Sequence, residues 1–269
     1  MSRSCIFCGK TNLTKEHILP KWLQNYFGTH TTGGLHVVTK ADGSSYQFNE
    51  KFFNRTAKIV CEECNSGWMS NLEGTIEKLL GPMVAGEGSM IGIGRYERSL
   101  LAHWVAKTMT ILEYAGNART NNIPKSVPET LYKSRTLLPE HTIYMGFRRD
   151  AYGVRGVHPA GFLVQSPTNL TVKPEHQNLF QEFQGKNNKI FSAALVIGHV
   201  YFYMVGTDID NAFSFVYPYI PDYLLQLWPE ETAKDILWPN TKPIEDKGGW
   251  DGMNSHLNQS IALDFHKIE

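Results

Sequence analysis

The chain has 269 residues, 42% hydrophobic and 19% charged, which suits one large or two modest domains of an ordinary soluble protein. Its 26 Lys and Arg balance 26 Asp and Glu; this excludes a uniformly basic nucleic-acid coat and leaves room only for a local basic face. No apolar run reaches the length of a membrane span, and "MSRSCIFCGK" lacks the apolar core and small-residue cleavage site of a signal peptide, so a reducing, cytoplasmic location is expected.

Cysteines in such a compartment stay reduced. All four fall into two C-x-x-C pairs, Cys5 with Cys8 and Cys61 with Cys64. Four thiolates in two knuckles make the soft, closed, tetrahedral set that suits structural zinc. Turn residues follow each pair, Gly9 after the first and Ser66-Gly67 after the second. Four ordinary reduced cysteines are one alternative. A redox C-x-x-C is another, but it accounts for one pair and not for both. A compact ribbon leaves about 12–20 residues between its ligand pairs. Here residues 9–60 lie between them, so something is built inside the loop.

That loop begins "TNLTKEHILPKWL", with Glu16 and His17 adjacent and Pro20 three residues on. Taken alone, the pair reads as a helix N-terminal acid and a surface histidine, with Thr14 as cap. "LHVVTKADGSSYQF" predicts a β-hairpin turning at "ADGS". "AKIV" predicts a short strand running into the second pair. "SGWMSNLEGTIEKLLG" predicts a helix ending at Gly81, with Trp68, Leu72, Ile76, Leu79 and Leu80 apolar. Asn65, directly after Cys64, suits either a helix N-cap or a ligand. His30 and His36 read as solvated loop and strand histidines.

The order C-x-x-C, acid-His-x-x-Pro, C-x-x-C-Asn, then helix resembles the zinc-knuckle branch of the HNH endonucleases over roughly residues 1–80. The resemblance implies a ββα-metal fold, with structural zinc on Cys5, Cys8, Cys61 and Cys64. It implies that Glu16 and Asn65 hold a catalytic Mg²⁺ or Mn²⁺ and that His17 is the general base. The chemistry asks for these residue types: a neutral imidazole takes a proton from water near pH 7, and Mg²⁺ prefers a few oxygen ligands. Three positions depart from the family pattern. Thr56 stands where the base-orienting Asn is usual, with Asn54 two residues earlier serving if the strand is bulged. Trp68 stands where a Lys is common, and Glu16 replaces the commoner Asp.

Residues 82–95, "PMVAGEGSMIGIGR", read as a Gly-rich linker between an HNH unit at 1–81 and a second unit at 96–269. "GKT" at 9–11 and "GIG" at 92–94 are fragments of phosphate- and dinucleotide-binding motifs without their glycines. "YERSLLAHWVAKTMTILEYAG" predicts a helix with one buried face through Leu101, Trp104, Val105, Thr108, Met109, Leu112 and Ala115, ending at Gly116. "SVPETLYKSRTLL" predicts another. Strands follow at "TIYMGFRR", "GFLVQS", "IFSAALVI", "VYFYMVG", "FSFVYPYI" and "LLQLWP". The expected class is α+β: a ββα-metal module, then a larger α+β unit with helices first and an antiparallel sheet later. Arg148, Arg149, Arg155 and His158 suit either a phosphate grip or, preferably, a solvated hairpin. Asp251, His256, Asp264 and His266 in the tail show no diagnostic ligand spacing.

The expectation for the whole chain is a metal-dependent endonuclease acting on DNA, or alternatively RNA. By analogy it belongs to bacterial or phage defence, with a regulatory protein as a possible partner. The rival is a zinc-stapled module that binds nucleic acid or protein and catalyses nothing.

Overall fold

The computed structural model describes residues 4–27, 34–39, 45–50, 55–87, 90–115, 122–135, 137, 141–149, 160–165, 170–178, 180–181, 190–207, 213–216, 222–229, 235–239, 241–259 and 261–265. Strand β1 (Leu13–His17) is followed by a helical turn at Lys21–Leu23 that continues into α1 (Gln24–Phe27). Then come β2 (Gly34–Thr39) and β3 (Ser45–Glu50), which form the expected antiparallel hairpin. β4 (Thr56–Cys61) returns to pair antiparallel with β1. Glu16 and His17 are therefore strand residues and not the start of a helix. A single turn, α2 (Glu62–Cys64), and a widened turn at Asn65–Met69 lead into α3 (Ser70–Ala85). Gly67 leaves the helical region there, at φ −89° and ψ −112°.

α3 does not stop at Gly81. It runs to Ala85 and is closed by Gly86, whose left-handed φ of +69° turns the chain out of the helix. Gly81 is small for a different reason: a Cβ there would lie 2.2 Å from Cζ of Tyr26. The stretch 82–95 is likewise not a free linker. Its first four residues are the last turn of α3, and β5 (Ile91–Ile93) pairs with β13 (Ile236–Trp238). Glycine-rich composition predicts flexibility only where nothing packs on the segment, and here Val84 and Ile93 are core residues.

α4 (Arg95–Ala115) is the structural centre. It was expected to bury one face. Instead Arg98, Lys107, Thr110 and Glu113 are buried along with the apolar stripe, because the helix lies between α3 and β4 on one side and the large sheet on the other. α5 (Ser126–Ser134) packs beside it. The large sheet has the order β12 (Leu224–Trp228), β6 (Thr142–Phe147), β10 (Val200–Thr207), β9 (Ile190–Ile197), β7 (Ala160–Gln165), all antiparallel.

β10 shows the period of a strand covered on both faces. Val200, Phe202 and Met204 join the core under α4, while Tyr201, Tyr203 and Val205 join a second core with Met253 and Leu257. Those last two residues belong to α6 (Gly249–Gln259). Tyr201 donates its hydroxyl to Asn254 Oδ1 at 2.7 Å. A small sheet, β11 (Phe213–Val216), β14 (Ile261–Phe265) and β8 (Leu170–Val172), contains a parallel pair, β14 with β8. The architecture is thus mixed helix and sheet, dominated by antiparallel pairing. One continuous core runs from Leu19 through Leu80 and Trp104 to Trp238. No helix among the described residues is long and apolar enough to cross a membrane.

Candidate metal centre

The two cysteine pairs, 53 positions apart between Cys8 and Cys61, meet because β4 ends beside the N-terminal turn. Ile6 donates its backbone N–H to Ile59 O at 3.0 Å, and Glu62 donates to Asn12 O at 3.4 Å. Within the first turn, Cys5 N–H reaches Lys10 O at 2.7 Å and Gly9 N–H reaches Cys5 O at 2.9 Å. An ion pair between Lys10 and Glu63 joins the two turns at the surface. All four sulfurs lie within 4.8 Å of one another, and those of Cys8 and Cys61 are 3.4 Å apart. A tetrahedral Zn–S₄ site has sulfurs about 3.8 Å apart, from its 2.3 Å bonds. The donor set therefore fits a metal ion such as zinc.

The electrostatics agree. Burial pushes the Cys8 and Cys64 thiols up. Burial opposes charge at Cys5 too, but hydrogen bonds from the backbone of Cys8, Cys61 and Phe7 hold that thiol below its ordinary value. Four anionic sulfurs this close require a cation among them. The centre has its own apolar wall: Phe7, Ile18, Val60, Met69 and Ile111, with Phe7 edge-on to Trp68 at 5.1 Å.

Glu16 and Asn65 stand next to this centre. β1 and β4 are in register from Leu13–Cys61 to Thr14–Val60. An extra residue in β4 then shifts the pairing so that Glu16 meets Ala57 and His17 meets Thr56. Thr14 and Glu16, two apart, share the face toward the Asn65 turn. Asn65 donates Nδ2 to Thr14 Oγ1 at 3.4 Å, and its side chain lies close enough to the Glu16 carboxylate to favour the charged form slightly. Burial raises the Glu16 pKa to about 7; Lys107 opposes the rise, and Glu73 adds to it. The structure thus brings together two of the residues that the sequence singled out.

His17, one residue on, projects to the opposite face of β1 by strand alternation. Burial, with the charge of Lys21, lowers its pKa and keeps the imidazole neutral near pH 7. It makes no hydrogen bond among the described residues. The strand bulge is real, but it leaves Thr56 directly opposite His17. Asn54 lies outside the described residues, as do His30, Arg155, His158 and His266; the side chains of His36 and Asp264 do too.

Sequence reasoning missed the polar cluster behind Glu16. Glu73, on α3, accepts Trp22 Nε1 at 2.7 Å and Trp104 Nε1 at 3.0 Å, and it forms an ion pair with buried Lys107. Glu73 looked like an exposed helix acid, and Lys107 like the polar side of α4. Only a mid-helix lysine flanked by apolar residues hinted otherwise. Elsewhere, Arg148 is buried and pairs with Glu245 at 3.7 Å, and Arg149 pairs with Asp246 at 3.5 Å. Both arginines are paired with acids of their own fold, and the burial of Arg148 departs from the solvated hairpin expected there. Among the described residues, the four cysteines are the one group of three or more His, Cys, Asp or Glu able to hold a metal.

Compared with protein-family models, with curated proteins and with solved structures, the chain matches none.

Proposed function

We propose that the chain is an HNH-type, metal-dependent endonuclease acting on DNA, with zinc on Cys5, Cys8, Cys61 and Cys64 as a structural staple. The observation that carries this reading is the proximity of the Glu16 and Asn65 side chains, with Asn65 tied to Thr14 on the same face of β1. Two oxygen-bearing side chains, converging beside a cysteine cluster at the edge of a β-β-α unit, suit one Mg²⁺ or Mn²⁺. The donors fit: burial disfavours an anionic Glu16 unless a cation is supplied. Such an ion, when bound, supplies the counter-charge for the leaving 3′ oxygen. By the resemblance, His17, neutral at physiological pH, takes the proton from the attacking water, although strand alternation turns it away from Glu16 and Asn65; the His17→Ala comparison tests that role directly. By the resemblance, the product carries a 5′-phosphate.

One observation favours the rival. Lys107 already sets a positive charge near Glu16, as a purely structural charge cluster would. On that reading the cysteine centre staples a binding module without catalysis. Nicking of supercoiled plasmid by purified protein, with Mg²⁺, Mn²⁺ or EDTA, separates the two. The nuclease reading expects divalent-dependent nicking that is lost in a folded, zinc-retaining His17→Ala protein. Equal activity in both proteins sinks it.

A further inference from the structure

Arg135 closes α5 with a left-handed backbone, at φ +54°, the one non-glycine residue with positive φ among those described. L-residues other than Asn and Asp seldom adopt this conformation. It brings the guanidinium over two rings at once: 4.7 Å from the centroid of Trp68 and 4.8 Å from that of Tyr132. Trp68 sits three residues after Asn65 and packs in the same core as Cys64. Arg135 is nevertheless exposed, and no carboxylate among the described residues pairs with it.

A guanidinium held by cation–π contact with two rings, and paired with no carboxylate among the described residues, has N–H edges left to donate. Those edges are what bind a phosphate through two parallel hydrogen bonds. The positive groups behind it are accounted for. Lys107 is buried and neutralised by Glu73. His103, 5.8 Å from Trp68, is half-buried with its Nε2 atom enclosed and unpartnered among the described residues, and it is held neutral first by desolvation and then by the charges of Arg135 and Lys107. Among the described residues, Arg135 is the exposed cation that contacts the Trp68 ring, while exposed Lys10, near Tyr132, is paired with Glu63. Arg135 is clamped in position before any ligand arrives, which lowers the entropy cost of using it.

We infer that Arg135 is a backbone-phosphate anchor: it holds a DNA strand beside the Glu16 and Asn65 site through a contact that carries no base preference. The inference rests on the nuclease reading for its choice of ligand, and on the ring clamp for its choice of residue.

The test is anisotropy of a fluorescein-labelled DNA duplex titrated with zinc-loaded protein, without Mg²⁺ or Mn²⁺. A His17→Ala background keeps the duplex intact, and the series is repeated across salt concentrations. Arg135→Gln is expected to bind several-fold more weakly and to lower the slope of log affinity against log salt by about one. Arg135→Lys, which keeps the charge but not the planar fork, is expected to restore the slope and only part of the affinity. Unchanged affinity and slope in a folded Arg135→Gln protein overturn the anchor and leave the nuclease reading standing. Plasmid nicking by the wild-type chain together with equal binding by all three proteins has the same meaning. Absence of both binding and nicking in the wild-type chain overturns both.

Discussion

Lys107 and Glu73 form a buried ion pair between α4 and α3, 34 positions apart in the chain. The Glu73 carboxylate also accepts the indole N–H groups of Trp22 and Trp104. One carboxylate thus joins the turn after β1, the helix after the cysteines and the central helix. It also helps set the electrostatics of Glu16, against which Lys107 acts in the opposite sense. Removing one partner of such a pair leaves a buried charge uncompensated, which costs about 3–5 kcal/mol. Glu73→Ala is therefore expected to shift the urea midpoint strongly downward. The double change Glu73→Leu with Lys107→Met is expected to recover much of the loss, and failure to recover would show that the tryptophan contacts dominate.

The cysteine centre predicts a second result. Cys61→Ser removes a fully buried ligand from a site whose binding energy is also folding energy. About one zinc per chain is expected by elemental analysis of the wild-type protein, and none in the variant. The loss should be accompanied by rapid proteolysis around β1, β4 and α3. A wild-type protein with four titratable free thiols and no metal would count against the staple.

Gly81 reverses an ordinary rule. Glycine to alanine inside a helix usually stabilises by about 1 kcal/mol. Here the added methyl falls 2.2 Å from the Tyr26 ring, which itself packs edge-on to Trp22 at 6.0 Å. Overpacking of this kind costs about 1–3 kcal/mol, so Gly81→Ala is expected to lower the thermal midpoint. In a Tyr26→Ala background the same substitution is expected to raise it.

The half-buried imidazole of His103 gives a pH signature. Its pKa falls from 6.5 to about 4, because burial, then the charges of Arg135 and Lys107, disfavour the protonated form. The unfolded chain takes up a proton below pH 6.5 that the folded chain refuses until about pH 4. The group thus contributes nothing to stability changes above 6.5. It removes stability progressively between 6.5 and 4, at most about 3 kcal/mol in total. Chemical unfolding of the wild-type protein and of His103→Leu across that range is expected to show a shallower pH slope in the variant.

Much of the site was legible along the chain because its signals are local. Two C-x-x-C pairs mark a four-sulfur set whatever lies between them. The alternating run from Leu35 to Phe48 with a central turn marks its own hairpin. What misled the reading was also local. Gly81 has the composition of a helix end, and the glycines after it have that of a linker. Gly81, however, is small because of Tyr26, Gly86 turns the chain with His199 against it, and the segment after it is held by pairing with β13; Tyr26, His199 and β13 are all distant in sequence.

By itself the sequence determined the cysteine set, the hairpin between its halves, the buried runs of the large sheet and the long central helix. Each of these rests on local spacing and period: two C-x-x-C pairs, one hairpin and runs of apolar residues. Only the tertiary structure decided that Lys107 neutralises Glu73, that Glu16 meets Asn65 across a bulged strand pair, and that Arg135 stands over Trp68. These are contacts between side chains 34 to 67 positions apart. Burial there sets charge states that no stretch of sequence can specify alone, because the cost of a buried charge depends on which partner the fold delivers to it.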